Sequence, residues 1–145
     1  MDVTVWGFDL EIDAGPIEAE PAEIRRQIRE YERGERRRFD LEVAIPETFT
    51  GRVMEAMTRI PFGETRSYGE LATEIDSSPI AVGQACGRNP VPLIVPCHRV
   101  VGANSQGGFS AGGDRGDALK AALLDHERAL RDEEQSQLTE YEDVR

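Results

Sequence analysis

The sequence predicts an α+β fold: a short α/β module over residues 1–47, a mainly helical unit with a helix-turn-helix over 48–131, and an acidic tail over 132–145. Three observations predict it. Apolar residues alternate at period two only before Pro46, the mark of half-buried strands. From Thr48 onward they recur at helical spacing, punctuated by Ser and Thr caps. Charge divides the chain in the same way, with 13 acidic and 7 basic residues in 1–47, 9 and 9 in 48–131, and 6 and 1 in 132–145.

Val3, Val5, Phe8, Leu10 and Ile12 form an imperfect alternation that predicts one or two short strands. Pro21 opens a helix to about Arg33, with Ile24, Ile28 and Tyr31 as its apolar stripe. The seven arginines between Arg25 and Arg38 are interleaved with glutamates, which reads as a solvated helix face rather than a nucleic-acid patch. Phe39, Leu41 and Val43 alternate again as a strand, and Pro46 closes the module. Thr48 or Thr50 caps the next helix, whose Phe49, Val53, Met57 and Ile60 keep helical spacing until Pro61-Phe62-Gly63 ends it. Ser67 and Glu70 form a capping box for a short helix to about Asp76. Ser78-Pro79 starts another helix, to about Gly87, and the two make the helix-turn-helix. Its second helix is built of small residues with a single base-reading side chain, Gln84, which suits close approach to a backbone and equally suits tight helix packing. Beyond the glycine-rich stretch 102–113, Asp114 caps a last helix with Leu119, Leu123, His126 and Leu130 on one face. From Asp132 the tail has little to bury and is expected to fray.

The chemistry concentrates in Pro96-Cys97-His98-Arg99-Val100, which follows the apolar run Val91 to Val95. A thiol is nucleophilic as thiolate, and an imidazole nearby is the usual means of making one. Neighbours on an extended segment point to opposite faces, so His98 reaches Cys97 only through a sharp turn or a bridging water, and Pro96 supplies the means to turn. Glu127 lies at the edge of the last helix's apolar face and can orient His98, giving a Cys-His-Glu relay. His126, fully on that face, reads as a core histidine. Two cysteines and two histidines fit no common zinc spacing, so no metal is expected. A Cys86–Cys97 disulfide would destroy the nucleophile and is disfavoured in a reducing compartment. There is no run of eighteen apolar residues and no basic-then-apolar amino terminus, which predicts a soluble cytoplasmic protein without a membrane partner. Net charge is -11, yet Ser77 to Gly113 carries no carboxylate while holding Arg88 and Arg99, so an anionic partner is expected at this site. A single lysine, Lys120, against sixteen arginines in an acidic chain reads as adaptation to high salt.

Residues 61–127 closely resemble the carboxy-terminal domain of the O6-alkylguanine-DNA alkyltransferases, the methylated-DNA-protein-cysteine methyltransferases. The stretches that carry the resemblance are Pro61 to Tyr68, Ala81-Val82-Gly83, Gly87-Arg88-Asn89-Pro90-Val91-Pro92, Pro96 to Val100 and Leu124-Asp125-His126-Glu127. It implies a shortened ribonuclease-H-like amino-terminal module followed by a winged-helix-like alkyltransferase domain. It further implies that Cys97 takes the alkyl group from O6 of a guanine, or O4 of a thymine, flipped out of duplex DNA, because the atom cannot be reached in the stack. By resemblance, Cys97, a water, His98 and Glu127 form the relay, Asn89 links the reading helix to the active loop, and Tyr68 donates a proton to the departing guanine. Val100, Phe109 and Ser110 correspond to the base pocket, and Tyr68, Ile80, Ala81, Gln84, Arg88 and Arg99 to the DNA surface. No cofactor is implied, the protein is expected to act as a monomer, and the thioether formed makes each molecule act once. Ile80 replaces the arginine that usually fills the flipped base's space, and Phe109 replaces a tyrosine. Two other readings are a sensor that binds and flips the lesion without removing the group, against which Cys97 speaks, and a cysteine hydrolase, which lacks an obvious oxyanion hole.

Overall fold

The computed structural model describes residues 1–103 and 115–143, with side chains of the last helix described to Glu134. Strands β1 (Asp2–Val5) and β2 (Phe8–Glu11) pair antiparallel. Trp6 (φ 48°) and Gly7 (φ 81°) make the two-residue turn between them, with the left-handed backbone that hairpin twist requires. Helix α1 (Pro21–Glu32) has proline at its first turn and buries Ile24, Ile28 and Tyr31. Its C-terminal end is tied to the hairpin, since Trp6 donates its backbone N–H to the Glu32 carboxylate and its indole N–H to the Glu32 carbonyl.

The strand expected over Phe39 to Val43 does not form. Only an isolated bridge, Ile17 to Val43, and the Gln27 side chain, bonded to both backbone groups of Asp40, hold this extended segment. The alternation is still satisfied, because residues 39, 41, 43 and 45 are half-buried while 40, 42 and 44 are exposed; what is missing is a neighbouring strand.

Helix α2 (Phe49–Thr58) is capped by Thr48, whose hydroxyl accepts from the Gly51 N–H. Strand β3 (Arg66–Ser67) leads into α3 (Tyr68–Glu74), where both bonds of the Ser67–Glu70 capping box are made. Asp76 turns the chain at φ 57°, and Ser78 caps α4 (Pro79–Gly87). A single turn of 3₁₀ helix over Cys97–Arg99 precedes β4 (Val100–Val101), which pairs in parallel with β3, an element that no periodicity announced. Helix α5 runs Gly116–Asp143, so the acidic tail continues the helix where fraying was expected. Its residues are mostly good helix formers, and neither glycine nor proline interrupts it after Gly116. Asp114, expected as its cap, lies outside the described residues.

One cluster of buried side chains runs from Val3, Leu10, Ile24 and Tyr31 through Val53, Met54 and Met57 to Val100, Leu119 and Leu123. Among the described residues no helix is long and apolar enough to cross a membrane.

Candidate active site

Cys97 is reached through a tightly turned loop. Asn89 accepts from the Val91 N–H and donates to the Val95 carbonyl, closing the loop upon itself. Leu93, fully buried, is held at φ 74°, a conformation that costs a branched residue about 1–3 kcal/mol and persists because its surroundings enforce it. At Pro96 (φ −80°, ψ 67°) an inverse γ-turn brings the Cys97 N–H to the Val95 carbonyl at 2.8 Å. The turn expected of Pro96 is thus present, and the 3₁₀ turn that follows sends Cys97 and His98 in different directions.

Burial pushes the Cys97 thiol above its ordinary pKa. The Asn89 amide, the Lys120 ammonium and the Leu93 N–H oppose that shift by favouring the anion. Cys86 is the second free thiol; burial and then the neighbouring Cys97 push it up to about 12, so it stays protonated. No group of three or more His, Cys, Asp and Glu among the described residues is placed to hold a metal.

His98 and Glu127 are both sealed from solvent and meet at 2.7 Å, Nε2 to Oε2. Burial alone would raise the Glu127 pKa, but the hydrogen bonds and charges of His98 and Arg99 outweigh it and hold the carboxyl well below the carboxylate range. An ionised carboxylate only accepts, so the network assigns the proton to His98 Nε2 and leaves Nδ1 as a lone-pair acceptor. Nδ1 is buried and has no hydrogen-bond partner among the described residues. Burial also lowers the His98 pKa against the pull of Glu127, which keeps the ring neutral and able to take a proton.

Arg99, expected on the DNA surface, is placed elsewhere. It is 8% exposed and its guanidinium is committed inward, to both Glu127 oxygens at 2.8 and 3.0 Å and to the Ile60 carbonyl at 2.8 Å. Three of its five N–H groups are held inside and the residue is buried, so Arg99 is a structural partner of Glu127 and presents no open fork at the surface. Ile80, Gln84 and Arg88, by contrast, recur every four residues along the exposed face of α4 and its C-cap, with Ala81 half-buried beside them. Ile80 is 76% exposed, the only large hydrophobic side chain so exposed among the described residues.

Tyr68, at the first turn of α3, is half-buried, and its ring lies against Gly83 of α4. Burial and the nearby Cys86 and Cys97 raise its hydroxyl pKa, so it remains a proton donor. Val100 is buried, and its carbonyl accepts from Lys120 Nζ at 2.6 Å. Phe109 and Ser110 lie outside the described residues. His126 is satisfied as expected but only half-buried: its Nε2 meets the Tyr31 carbonyl at 2.9 Å and its ring packs edge-on against Trp6 and Tyr31.

Two residues of the site were not singled out from the sequence. Tyr31, read as one apolar member of a helix stripe, donates to Glu127 Oε2 at 2.6 Å across 96 residues of chain. Its signal was available, since a buried tyrosine needs a partner for its hydroxyl. Lys120 is completely buried, with Nζ 5.8 Å from the Tyr68 ring centroid and electrostatically coupled to both thiols. The signal there was the chain's only lysine, next to Leu119 on the inward face.

Comparison with known proteins follows the same outline. Residues 48–129 match the family model described as 6-O-methylguanine DNA methyltransferase, DNA binding domain. A methylated-DNA–protein-cysteine methyltransferase of Archaeoglobus fulgidus is 46% identical over 110 residues, covering 71% of this chain and 72% of that protein. The constitutive one of Bacillus subtilis is 44% identical over 110 residues, 74% of this chain and 66% of its own length. One from Methanocaldococcus jannaschii is 49% identical over 84 residues, and there the match spans 47% of the relative's length. Among solved structures, the Mycobacterium tuberculosis OGT in complex with DNA aligns with a TM-score of 0.67 at 42% identity, covering 75% of this chain and 68% of that one. A variant of the Mycobacterium tuberculosis O6-methylguanine methyltransferase aligns with a TM-score of 0.70 at 33% identity, covering 88% of this chain and 90% of its own.

Proposed function

The chain belongs to the methylated-DNA–protein-cysteine methyltransferase family, and on that premise we propose that it repairs O6-alkylguanine, or O4-alkylthymine, in duplex DNA by moving the alkyl group irreversibly to Cys97. The observation that carries the assignment is the buried His98–Glu127 pair, one residue from the thiol, with a lone-pair nitrogen kept free.

A thiol whose pKa is raised by burial is inert until a base takes its proton. A water between Cys97 and His98 Nδ1 passes that proton to the imidazole, and Glu127 stabilises the imidazolium as it forms. The thiolate attacks the alkyl carbon in line, the carbon–oxygen bond breaks, and its electron pair leaves on the guanine O6. Tyr68 gives a proton to the departing base. The products are unmodified guanine and a thioether on Cys97. Nothing in the site reverses a carbon–sulfur bond, so each molecule turns over once. The exposed row Ile80, Gln84 and Arg88 supports α4 as the DNA-facing helix, and Ile80 serves as an apolar wedge at the step left by the flipped base. Val100, Phe109 and Ser110 line the base pocket in this reading, and Asn89 holds the loop to α4.

The mixed helix-and-strand fold resembles the OGT structures. In the same reading the helical unit is a winged-helix-like DNA-binding domain, residues 1–47 are a shortened ribonuclease-H-like module, and the protein works as a cytoplasmic monomer. The arginine-rich, acidic composition supports a salt-adapted setting.

Cys97→Ala tests the assignment. It is expected to abolish transfer from an O6-methylguanine duplex while binding that duplex as the wild type does; transfer that persisted in the variant would contradict it.

A further inference from the structure

The seven arginines of residues 25–38 do not share one environment. Arg26 is held by Glu23 and Glu30, Arg36 by Glu30, and Arg37 by Glu134 and the Leu130 carbonyl. Arg25, Arg29 and Arg33 stand apart: they are exposed, and among the described residues their side chains make no hydrogen bond, ion pair or ring contact. Recurring every four residues, they lie on one face of α1 and its C-cap, about 6 Å apart along the axis and about 12 Å from first to last.

That arrangement sets like charges side by side. Charges of one sign four residues apart repel, while Arg29 in the last turn and Arg33 at the C-cap lie at the end of the helix dipole that favours cations. The acids that could offset them are engaged elsewhere, Glu30 between Arg26 and Arg36 and the Glu32 carboxylate on the Trp6 N–H. In a chain of net charge -11, three bare guanidinium groups in a row form a local positive stripe whose natural occupant is a regular polyanion.

We propose that Arg25, Arg29 and Arg33 form a second contact with duplex DNA, gripping the phosphate backbone outside the surface that α4 presents; the inference rests on duplex DNA being the partner. Phosphates recur about every 3.4 Å of axis on one strand, so a stripe of about 12 Å faces three or four of them. Guanidinium forks bind phosphate oxygens in pairs and carry no information about bases. The stripe therefore adds affinity for undamaged and damaged duplex alike.

The test is fluorescence anisotropy of a labelled, unalkylated duplex with the full chain, from about 0.1 to about 1 M salt, where screening lengths fall from about 10 to about 3 Å. Losing three phosphate contacts in R25Q/R29Q/R33Q is expected to flatten the slope of log affinity against log salt by about 2.7. Its single-turnover transfer rate at saturating duplex is expected to be unchanged. R26Q/R36Q/R37Q removes the same charge from the paired arginines and is expected to change the slope less. Equal slopes for the stripe variant and the wild type, or equal flattening by both triple variants, would overturn the stripe. A wild type that binds no duplex would instead overturn the DNA reading of the whole protein.

Discussion

Five donors converge on the two oxygens of Glu127: His98, two nitrogens of Arg99, the Tyr31 hydroxyl and the Gly63 N–H. A carboxylate so placed does more than orient an imidazole, because it is also the counter-ion of a buried guanidinium. Glu127→Gln leaves Arg99 charged and unpaired, and is expected to destabilise the protein by about 3–5 kcal/mol, read by urea unfolding. A stability within about 1 kcal/mol of the wild type would show that Arg99 finds another partner. The charge of Lys120 favours the Cys97 anion. Lys120→Met keeps most of the volume and is expected to raise the Cys97 pKa, moving the alkaline rise of iodoacetamide alkylation to higher pH. If the pKa rises by about one unit, transfer at neutral pH slows about tenfold, equivalent to about 1.4 kcal/mol. An unmoved alkylation profile would remove Lys120 from the chemistry. The meeting of His98 with Glu127 was legible because the two lie in one short motif and at one helix edge. Tyr31 was placed on the buried stripe of its helix but its hydroxyl partner was not foreseen, and Arg99 was expected at the surface, because their bonds to Glu127 cross 96 and 28 residues, which no local pattern encodes.

At the scale of elements, capping chemistry carried the prediction furthest. Ser67 with Glu70, and Ser78, cap the helices that their spacing implied, and Thr48 settles the choice left open between it and Thr50. These are interactions within four residues, so sequence alone contains them. The segment 39–43 shows the limit, since alternation records burial and a strand needs a partner as well. The two-residue pairing of β3 with β4 is too short to leave a pattern. Gly51 exposes the packing between the Ile45–Pro46 corner and α2, where an added Cβ would stand 1.8 Å from the Pro46 carbonyl oxygen. Gly51→Ala is expected to cost at least about 1–3 kcal/mol, seen as a lowered urea midpoint. An unchanged midpoint would mean that the Ile45–Pro46 corner moves freely.

For the whole molecule, the buried network ties stability to pH. His98 is lowered by burial and Glu127 by its partners, so below their unfolded values the unfolded chain binds more protons than the folded one. Stability is then full above about pH 6.5, falls first as His98 is called on to protonate, and falls again below about pH 4.3, where unfolded Glu127 protonates. Thermal melts from neutral pH downward are expected to show this decline, with the lower part reduced in Glu127→Gln; a flat profile from pH 7 to about 5 would contradict the lowered His98, and no further loss below about pH 4.3 would contradict the ionised, buried carboxylate. The same network joins the two ends of the chain, since Tyr31 of α1 and Glu127 of α5 meet behind the reactive loop.

The central claim is that Cys97 is a one-time alkyl acceptor. Intact-protein mass after mixing with excess duplex containing a single O6-methylguanine, followed by peptide mapping, tests it most directly. One added methyl per chain, on Cys97 and never more, is the result expected; an unchanged mass with the duplex still bound, or a methyl on another residue, would contradict it.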